Sequence, residues 1–188
     1  MDHFSLIAGI YNRAAKFKAS REFLEFLDLS PNMSLLDVGG GTGRVAAALN
    51  SLVRHVVVAD PTLGMLRYAA GKGLSTICGT AEELPFPPDS FDRIIIMDAL
   101  HHVRDQRATA RALWRSLARG GRMLIIEPDI HQFRVKLIAV MEKLLLMRSH
   151  FLDEQAIVSL FKVISKQSRV VHDGVNLWIC IEKEWYLY

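Results

Sequence analysis

The chain has 188 residues, of which 51% are hydrophobic and 23% are charged. This composition is typical of a globular protein, and the length suffices for one well-filled core, so we predict a single domain spanning 1–188. The 23 Lys and Arg residues are scattered among 20 Asp and Glu residues, and a net charge of +3 gives no strong indication of nucleic-acid binding.

The two cysteines, Cys78 and Cys180, lack the spacing of a metal site or a disulfide framework, so we expect reduced, buried thiols and no metal. The N-terminus lacks the basic start and the cleavage site of a signal peptide. The longest apolar segment, 137–147, contains Glu142 and Lys143 and is too short to cross a bilayer. These features predict a cytoplasmic protein without a transmembrane segment.

Taken in chain order, the sequence alternates short β-rich runs with helical patterns. A first helix is predicted over about 12–29, and Pro31 marks the turn that follows. The β-rich runs predict five strands, at 34–39, 55–60, 75–80, 93–99 and 122–128. The fourth run is continuously apolar, as expected for a strand that is covered on both faces.

Helical patterns separate most of these strands. Helices are predicted at 42–52, 61–70 and 105–117. The last of these is predicted to end at Gly120 and Gly121, while the proline-rich stretch 84–92 is predicted to be an irregular loop. Strands joined by helices predict an α/β fold with a doubly wound, mostly parallel, Rossmann-like sheet.

The pattern changes after the fifth strand. An amphipathic helix is predicted at 131–147, and a shorter helix that Asp153 caps runs to about 165. The end of the chain reads as a C-terminal antiparallel hairpin with its turn near Gly174, which would add two strands to one edge of the sheet.

Acidic residues end or follow the predicted strands, where the ligand crevice of such a sheet lies. They are Asp37, Asp60, Glu82, Glu83, Asp98, Glu127 and Asp129. The loop between the first strand and its helix, 35–46, reads LLDVGGGTGRVA and indicates a close approach of backbone to a ligand. Acids here would repel a pyrophosphate, so we favour S-adenosylmethionine, which has an ammonium, a sulfonium and no phosphate. A weak GxGxxA match at Gly41, Gly43 and Ala46 leaves an NAD-dependent oxidoreductase as a lesser alternative.

Four segments carry a family resemblance. They read LLDVGGGTG, VVVADPTLGML, GTAEELPFPPDSFDRIIIMDALHHV and LWRSLARGGRMLIIEPD. In this order and spacing they closely resemble the motifs of class I S-adenosylmethionine-dependent methyltransferases, of the type found in ubiquinone and menaquinone biosynthesis. The resemblance covers 34–129, and IAGIYNRAA at 7–15 is similar to the family's N-terminal lid. It implies a helical lid over 1–30 and a divergent, substrate-side segment over 131–166.

The resemblance implies a methyltransferase that binds S-adenosylmethionine and releases S-adenosylhomocysteine. Asp37 would hold the methionine ammonium, Asp60 would accept from the ribose hydroxyls, and Tyr11 would fold over the cofactor. The loop glycines would let the backbone approach the methionine and the ribose; they are Gly39, Gly40, Gly41 and Gly43. A second interpretation of Asp60, which precedes Pro61, is that it only caps a helix.

On the adenine side, the resemblance implies packing by Met65 and contacts from Thr80, the Ala81 backbone and Glu82. Many relatives have Asp where this chain has Thr80, and the hydroxyl is the weaker acceptor. Asp98 and Ala99 would close the site beside the sulfonium, although Asp98 and Glu127 can also be read as strand-end residues that face water.

Methyl transfer from a sulfonium depends mainly on holding donor and acceptor in line. Where the acceptor must lose a proton, His101 and His102 are the candidate general bases, and His101 is the one assigned a catalytic role. The other interpretation is that at least one of the two orients the loop. Asp98 and His102 lack a third ligand for a metal. A catalytically silent cofactor-binding partner or sensor module is the alternative to an enzyme, because Thr80 departs from the family pattern.

The predicted helix 131–147 carries six apolar residues on one face. They are Phe133, Leu137, Val140, Met141, Leu144 and Leu145. Core packing is one interpretation of this face. The others are a wall over a small, apolar or aromatic acceptor, a dimer surface, or contact with a membrane. The sequence does not indicate the oligomeric state.

Overall fold

The computed structural model describes residues 17–144, 149–161 and 168–185, without the side chains at 138, 139 and 141–144. Tyr11 and most of the predicted lid therefore lie outside the described residues. Within them, no helix is long and apolar enough to cross a membrane. Both cysteines are free thiols, but Cys78 is exposed rather than buried as expected, whereas Cys180 is buried.

A mixed sheet of seven strands forms the centre of the described residues. The strands are β1 Ser34–Val38, β2 His55–Asp60, β3 Ser75–Cys78, β4 Phe91–Met97, β5 Leu117–Pro128, β6 Ser168–Asp173 and β7 Asn176–Glu182. Their order is β3-β2-β1-β4-β5-β7-β6. The first five are parallel, and β7 pairs antiparallel with both β5 and β6. The predicted doubly wound sheet and C-terminal hairpin are confirmed.

Helices cover both faces of this sheet. They are α1 Arg21–Leu27, α2 Arg44–Leu49, α3 Leu63–Ala70, α4 Gln106–Ser116, α5 Phe133–Leu144 and α6 Glu154–Phe161, with short 3-10 turns at Asn50–Leu52 and Leu100–His102. Neighbouring residues of one strand enter opposite cores: Leu35 packs with α1 and α2, and Leu36 packs with α4 and α6. Strand β1 is buried throughout because both of its faces are covered.

Several predicted helices begin later than expected, and the physical reason is clear for two of them. Helix α1 begins at Arg21 because the Ser20 hydroxyl accepts from the Phe23 N–H at 3.1 Å, which is an N-cap. Helix α2 begins at Arg44, after Gly43 in a left-handed conformation with φ of +70°. The remaining residues of the predicted helix 42–52 form the glycine loop and a 3-10 turn.

The glycines at 120 and 121 do not end helix α4. The helix ends at Ser116, and Leu117 is already extended and enters β5 directly. Gly120, with φ of +72°, lies where the register between β4 and β5 is irregular, and its N–H donates to the Lys183 carbonyl. A Cβ there would lie 2.1 Å from the Trp185 ring. These glycines therefore allow an irregular strand to pack closely, and they do not cap a helix.

Strand order reverses at β1, which pairs with β2 on one side and with β4 on the other. In a doubly wound sheet, the crevice at the carboxyl end of such a strand is the usual ligand site. The glycine loop leaves β1 at this end, so the fold brings the loop to the crevice.

Candidate active site

A cavity of about 600 Å³ lies beyond the carboxyl ends of β1, β2 and β4. Its size is ordinary for a small-molecule site. The cavity is lined by these predicted site residues: Asp37, Gly39, Gly40, Gly41, Asp60, Pro61, Met65, Thr80, Ala81, Glu82, Asp98, Ala99 and His101. The topology thus gathers residues from the ends of four strands into one place.

Asp37 is the last but one residue of β1 and is only 1% exposed. One carboxylate oxygen accepts from the Ala46 N–H at 3.3 Å. Burial raises the pKa of Asp37 to about 7, and the charge of Asp60 adds to this while the Ala46 hydrogen bond and Arg44 oppose it. Near neutral pH this carboxyl is therefore close to its midpoint, and a bound cation would favour its ionised form.

At Gly39 and Gly40, other protein atoms occupy the space that a side chain would need. A Cβ at Gly39 would lie 2.4 Å from the Ala99 Cβ, and a Cβ at Gly40 would lie 2.6 Å from the Asp37 carboxylate. Gly39 also has a positive φ of +66°. These glycines let the loop lie against the end of β4 and over Asp37, which no larger residue permits.

Gly41 and Gly43 have different surroundings. A Cβ at Gly41 would meet no atom closer than 3.9 Å, where Asp60 and Met65 lie, so this glycine leaves space inside the cavity. A Cβ at Gly43 would lie 2.6 Å from a Leu74 methyl carbon, and Gly43 does not line the cavity. Its small size serves the packing of α2.

Asp60, at the end of β2, fixes the two segments on either side of the cavity. One oxygen accepts from the Gly41 N–H at 3.0 Å and the other accepts from the Thr62 N–H at 2.8 Å. The N-cap of α3 is Thr62, so Asp60 is not the capping residue. Because each carboxylate oxygen can accept more than one hydrogen bond, these contacts leave Asp60 able to bind ribose hydroxyls.

The side of the cavity predicted for adenine contains Met65, Thr80, Ala81 and Glu82. One oxygen of Glu82 accepts from the backbone N–H groups of Arg104 and Asp105, at 2.7 and 3.1 Å. Burial raises the pKa of Glu82, but these hydrogen bonds and the one from Thr80 outweigh it and hold the pKa below its usual range. Glu82 therefore joins this side to the loop before α4.

Asp98 follows β4 with a positive φ of +52°, which is uncommon outside glycine. Burial and the nearby Glu127 raise the pKa of Asp98, while Arg44 lowers it. The Arg44 guanidinium lies 3.5 Å from the Asp98 carboxylate and also lines the cavity. Sequence reasoning missed Arg44, although it directly follows the last loop glycine.

His101 and Glu127 form a buried pair behind the 3-10 turn. Glu127 accepts from the N–H groups of Ala99 and Leu100, at 3.0 and 2.8 Å, and lies 2.5 Å from the His101 Nδ1. The His101 ring stacks on Phe151 with centroids 4.4 Å apart. Glu127 thus does not face water, and a carboxylate at Nδ1 favours the tautomer that carries its proton there.

The rim of the cavity is less acidic than the sequence indicates. Glu83, Glu127 and Asp129 do not line it. Asp129 instead accepts from the His131 N–H and lies 3.3 Å from the His172 ring. The remaining lining residues flank the predicted site residues: Val38, Arg44, Val45, Ala59, Thr62, Gly79, Ile96, Met97, His102, Val103, Arg104 and Pro128. A glycine loop and four acids therefore share the cavity with two arginines and two histidines.

The seven-stranded sheet, with a glycine loop at its reversal point and an antiparallel C-terminal pair, matches the class I methyltransferase fold. Residues 36–125 match the family model described as a methyltransferase domain. These residues are similar to a methyltransferase domain, and solved proteins of the same fold include S-adenosylmethionine-dependent methyltransferases.

Curated relatives are similar over this same core. The chain is 38% identical over 108 residues to a ubiquinone/menaquinone biosynthesis C-methyltransferase of Vibrio parahaemolyticus, covering 52% of this chain and 42% of the relative. It is 33% identical over 147 residues to the protein of that name from a Shewanella strain, covering 65% and 59%. The chain therefore matches only about half the length of these relatives.

Solved structures share the fold. An S-adenosylmethionine-dependent methyltransferase of Thermotoga maritima aligns with a TM-score of 0.78 at 21% identity, over 96% of this chain and 98% of that one. The YcgJ protein of Bacillus subtilis aligns with a TM-score of 0.73 at 20% identity, over 87% and 97%. At these identities the likeness concerns the fold alone.

Proposed function

We propose that this chain transfers a methyl group from S-adenosylmethionine to a small apolar or aromatic acceptor. The observation that carries the proposal is the convergence of Asp37, Asp60 and the open side of Gly41 on one cavity. In S-adenosylmethionine, the ammonium fits beside Asp37 and the ribose hydroxyls fit beside Asp60. The space beside Gly41 admits the cofactor close to the backbone.

The residues present fit the cofactor. Asp37 provides a buried negative charge for the ammonium, Asp60 provides two acceptor oxygens for the ribose, and Met65 provides an apolar surface for the adenine. When bound, S-adenosylmethionine supplies a methyl group that is activated by its sulfonium for in-line displacement. The protein contributes orientation and the exclusion of water.

We assign the acceptor to an apolar part of the cavity. Ile96, Met97, Val103 and Pro128 line it, together with the two histidines. The similarity to ubiquinone/menaquinone biosynthesis C-methyltransferases supports an aromatic acceptor with hydroxyl or carbonyl groups. We infer a phenolic or quinol-like ring.

We propose that His101, which lines the cavity, accepts a proton from such an acceptor. The Glu127 carboxylate holds the Nδ1 side of the ring at 2.5 Å, so Nε2 is the nitrogen for proton transfer. Replacement of His101 with Gln should lower kcat by about 10²-fold on acceptors that must lose a proton, with KM for the cofactor little changed.

Calorimetry with S-adenosylmethionine and with S-adenosylhomocysteine tests the proposal. The protein should bind both, and Asp60→Ala should weaken binding by at least about tenfold because two hydroxyl contacts lose their acceptor. Asp173→Ala, at the exposed end of β6 next to the hairpin turn, is the matched control and should bind normally. A folded protein that binds neither compound at millimolar concentration contradicts the proposal.

The second candidate is a cofactor-binding module without catalysis, and Thr80 in place of the family's Asp favours it. Product formation on a panel of phenols and quinols distinguishes the two candidates. Turnover of any member excludes the silent module, whereas cofactor binding without turnover across the panel supports it.

A further inference from the structure

Helix α5 presents a row of large apolar side chains to solvent. Phe133 is 81% exposed, Leu137 is 57% exposed and Val140 is 55% exposed. Spacings of four and three residues place them on one side of the helix, and we name this row the apolar stripe. Val135, which is 2% exposed, lies on the opposite side and is buried. Core packing therefore does not account for the apolar stripe.

Basic residues flank the apolar stripe. Arg134 and Lys136 are exposed. Because each residue turns the helix by about 100°, these two side chains project on opposite sides of the stripe. Between Asp129 and Glu142 the sequence contains no acidic residue. The exposed side of this part of the helix therefore carries two positive charges and no negative one.

The apolar stripe is close in the chain to the cavity. Pro128, at the end of β5, lines the cavity, and α5 begins five residues later. A surface that contacts the stripe would thus also lie near the segment that borders the acceptor side.

We propose that the apolar stripe, with Arg134 and Lys136, docks this protein on the surface of an anionic phospholipid bilayer. Apolar side chains enter the boundary of the acyl region and cations bind the lipid phosphates, as in interfacial amphipathic helices. Docking itself does not depend on the proposed function. The idea that docking gives access to an apolar acceptor in the lipid does rest on it.

A second copy of the chain fits this surface less well. In a symmetric dimer across the stripe, Arg134 and Lys136 of one copy would approach those of the other, and like charges would repel. A bilayer that contains anionic lipid complements both the apolar and the basic residues.

Vesicle sedimentation tests the proposal with the full chain. The protein should bind vesicles of phosphatidylcholine with phosphatidylglycerol and bind much less to phosphatidylcholine alone. Phe133→Ser/Leu137→Ser and Arg134→Gln/Lys136→Gln should each weaken binding by at least about tenfold. The matched controls, Leu52→Ser and Arg67→Gln/Arg119→Gln, change exposed residues elsewhere and should bind like the unaltered protein.

Three results would overturn the proposal. One is absence of binding to anionic vesicles by the folded chain. Another is a dimer that Phe133→Ser/Leu137→Ser dissociates without any vesicle binding, which assigns the stripe to a second copy. The third is vesicle binding only after deletion of 1–16, which would mean that this segment, and not a bilayer, covers the stripe in the full chain. Cofactor binding by the same variants should stay normal, so loss of vesicle binding alone leaves the proposed function intact.

Discussion

Gly41 and Gly73 both have left-handed backbone, but only Gly41 borders the cavity. Their φ angles are +55° and +78°. A Cβ at Gly73 would meet nothing within 4 Å, whereas a Cβ at Gly41 would point into the space between Asp60 and Met65. The two positions therefore share a backbone conformation that disfavours a Cβ, and they differ in the ligand space that a side chain would occupy.

Gly41→Ala and Gly73→Ala should each lower the free energy of unfolding by about 1–2 kcal/mol, since a Cβ is disfavoured in this conformation. Only Gly41→Ala should also weaken S-adenosylhomocysteine binding. Urea unfolding and calorimetry measure the two effects. Equal cofactor affinity in both variants would show that Gly41 is only a turn residue.

Asp37 makes stability depend on pH because burial raises its pKa from 3.8 to about 7. The folded state then holds a proton that the unfolded chain releases. The stabilisation of the folded state by this proton is complete below pH 3.8 and is lost as the pH rises through about 7.

Asp37→Asn removes this loss, because an amide does not ionise and can still accept from the Ala46 N–H. Above pH 7 the variant should be more stable than the unaltered protein by up to about 4 kcal/mol, and near pH 4 the two should be similar. Its affinity for S-adenosylmethionine should fall, as the ammonium loses its counter-charge. Thermal unfolding across this pH range and calorimetry provide the measurements, and a variant that binds the cofactor normally would exclude the assigned role.

At the scale of elements, Glu127 holds the 3-10 turn Leu100–His102 to the end of β5. Its two oxygens accept from three consecutive backbone N–H groups, of Ala99, Leu100 and His101, at 2.8 to 3.3 Å. These donors are buried or partly buried, so the turn depends on this one side chain.

Glu127→Gln should lower the free energy of unfolding by about 1–3 kcal/mol, because an amide nitrogen replaces one acceptor oxygen. It should also shift the pH profile of methyl transfer, since His101 loses its carboxylate partner. Glu22→Gln, exposed on α1, should change neither quantity. An unaltered pH profile with lowered stability would limit Glu127 to a structural role.

Element boundaries were predictable where the signal is local. The predicted strand 55–60 agrees with β2, and Asp153, the predicted cap, lies just before α6 and accepts from the Ala156 N–H. The start of β5 was not predictable, because glycine favours both helix ends and irregular strands. Contacts of Gly120 with Lys183 and Trp185, which lie far away in sequence, decide between the two.

At the scale of the whole molecule, cofactor binding should stabilise the fold. S-adenosylhomocysteine at about a hundred times its Kd should add about 2.7 kcal/mol, which corresponds to a rise in Tm of about 5–10 °C for a chain of this size. NAD should produce no shift. A shift with NAD and none with S-adenosylhomocysteine would favour the dinucleotide alternative.

The sequence by itself determined the parallel sheet, its C-terminal hairpin, and the placing of the glycine loop, Asp37 and Asp60 at one edge. These follow from buried runs and turn residues, which act over a few neighbouring positions. Only the tertiary structure decided that Glu127 turns away from the cavity to bind Ala99, that Arg44 enters it, and that Phe133 is exposed. Side-chain direction, burial and pKa depend on segments that meet in space after folding, and no local pattern encodes them.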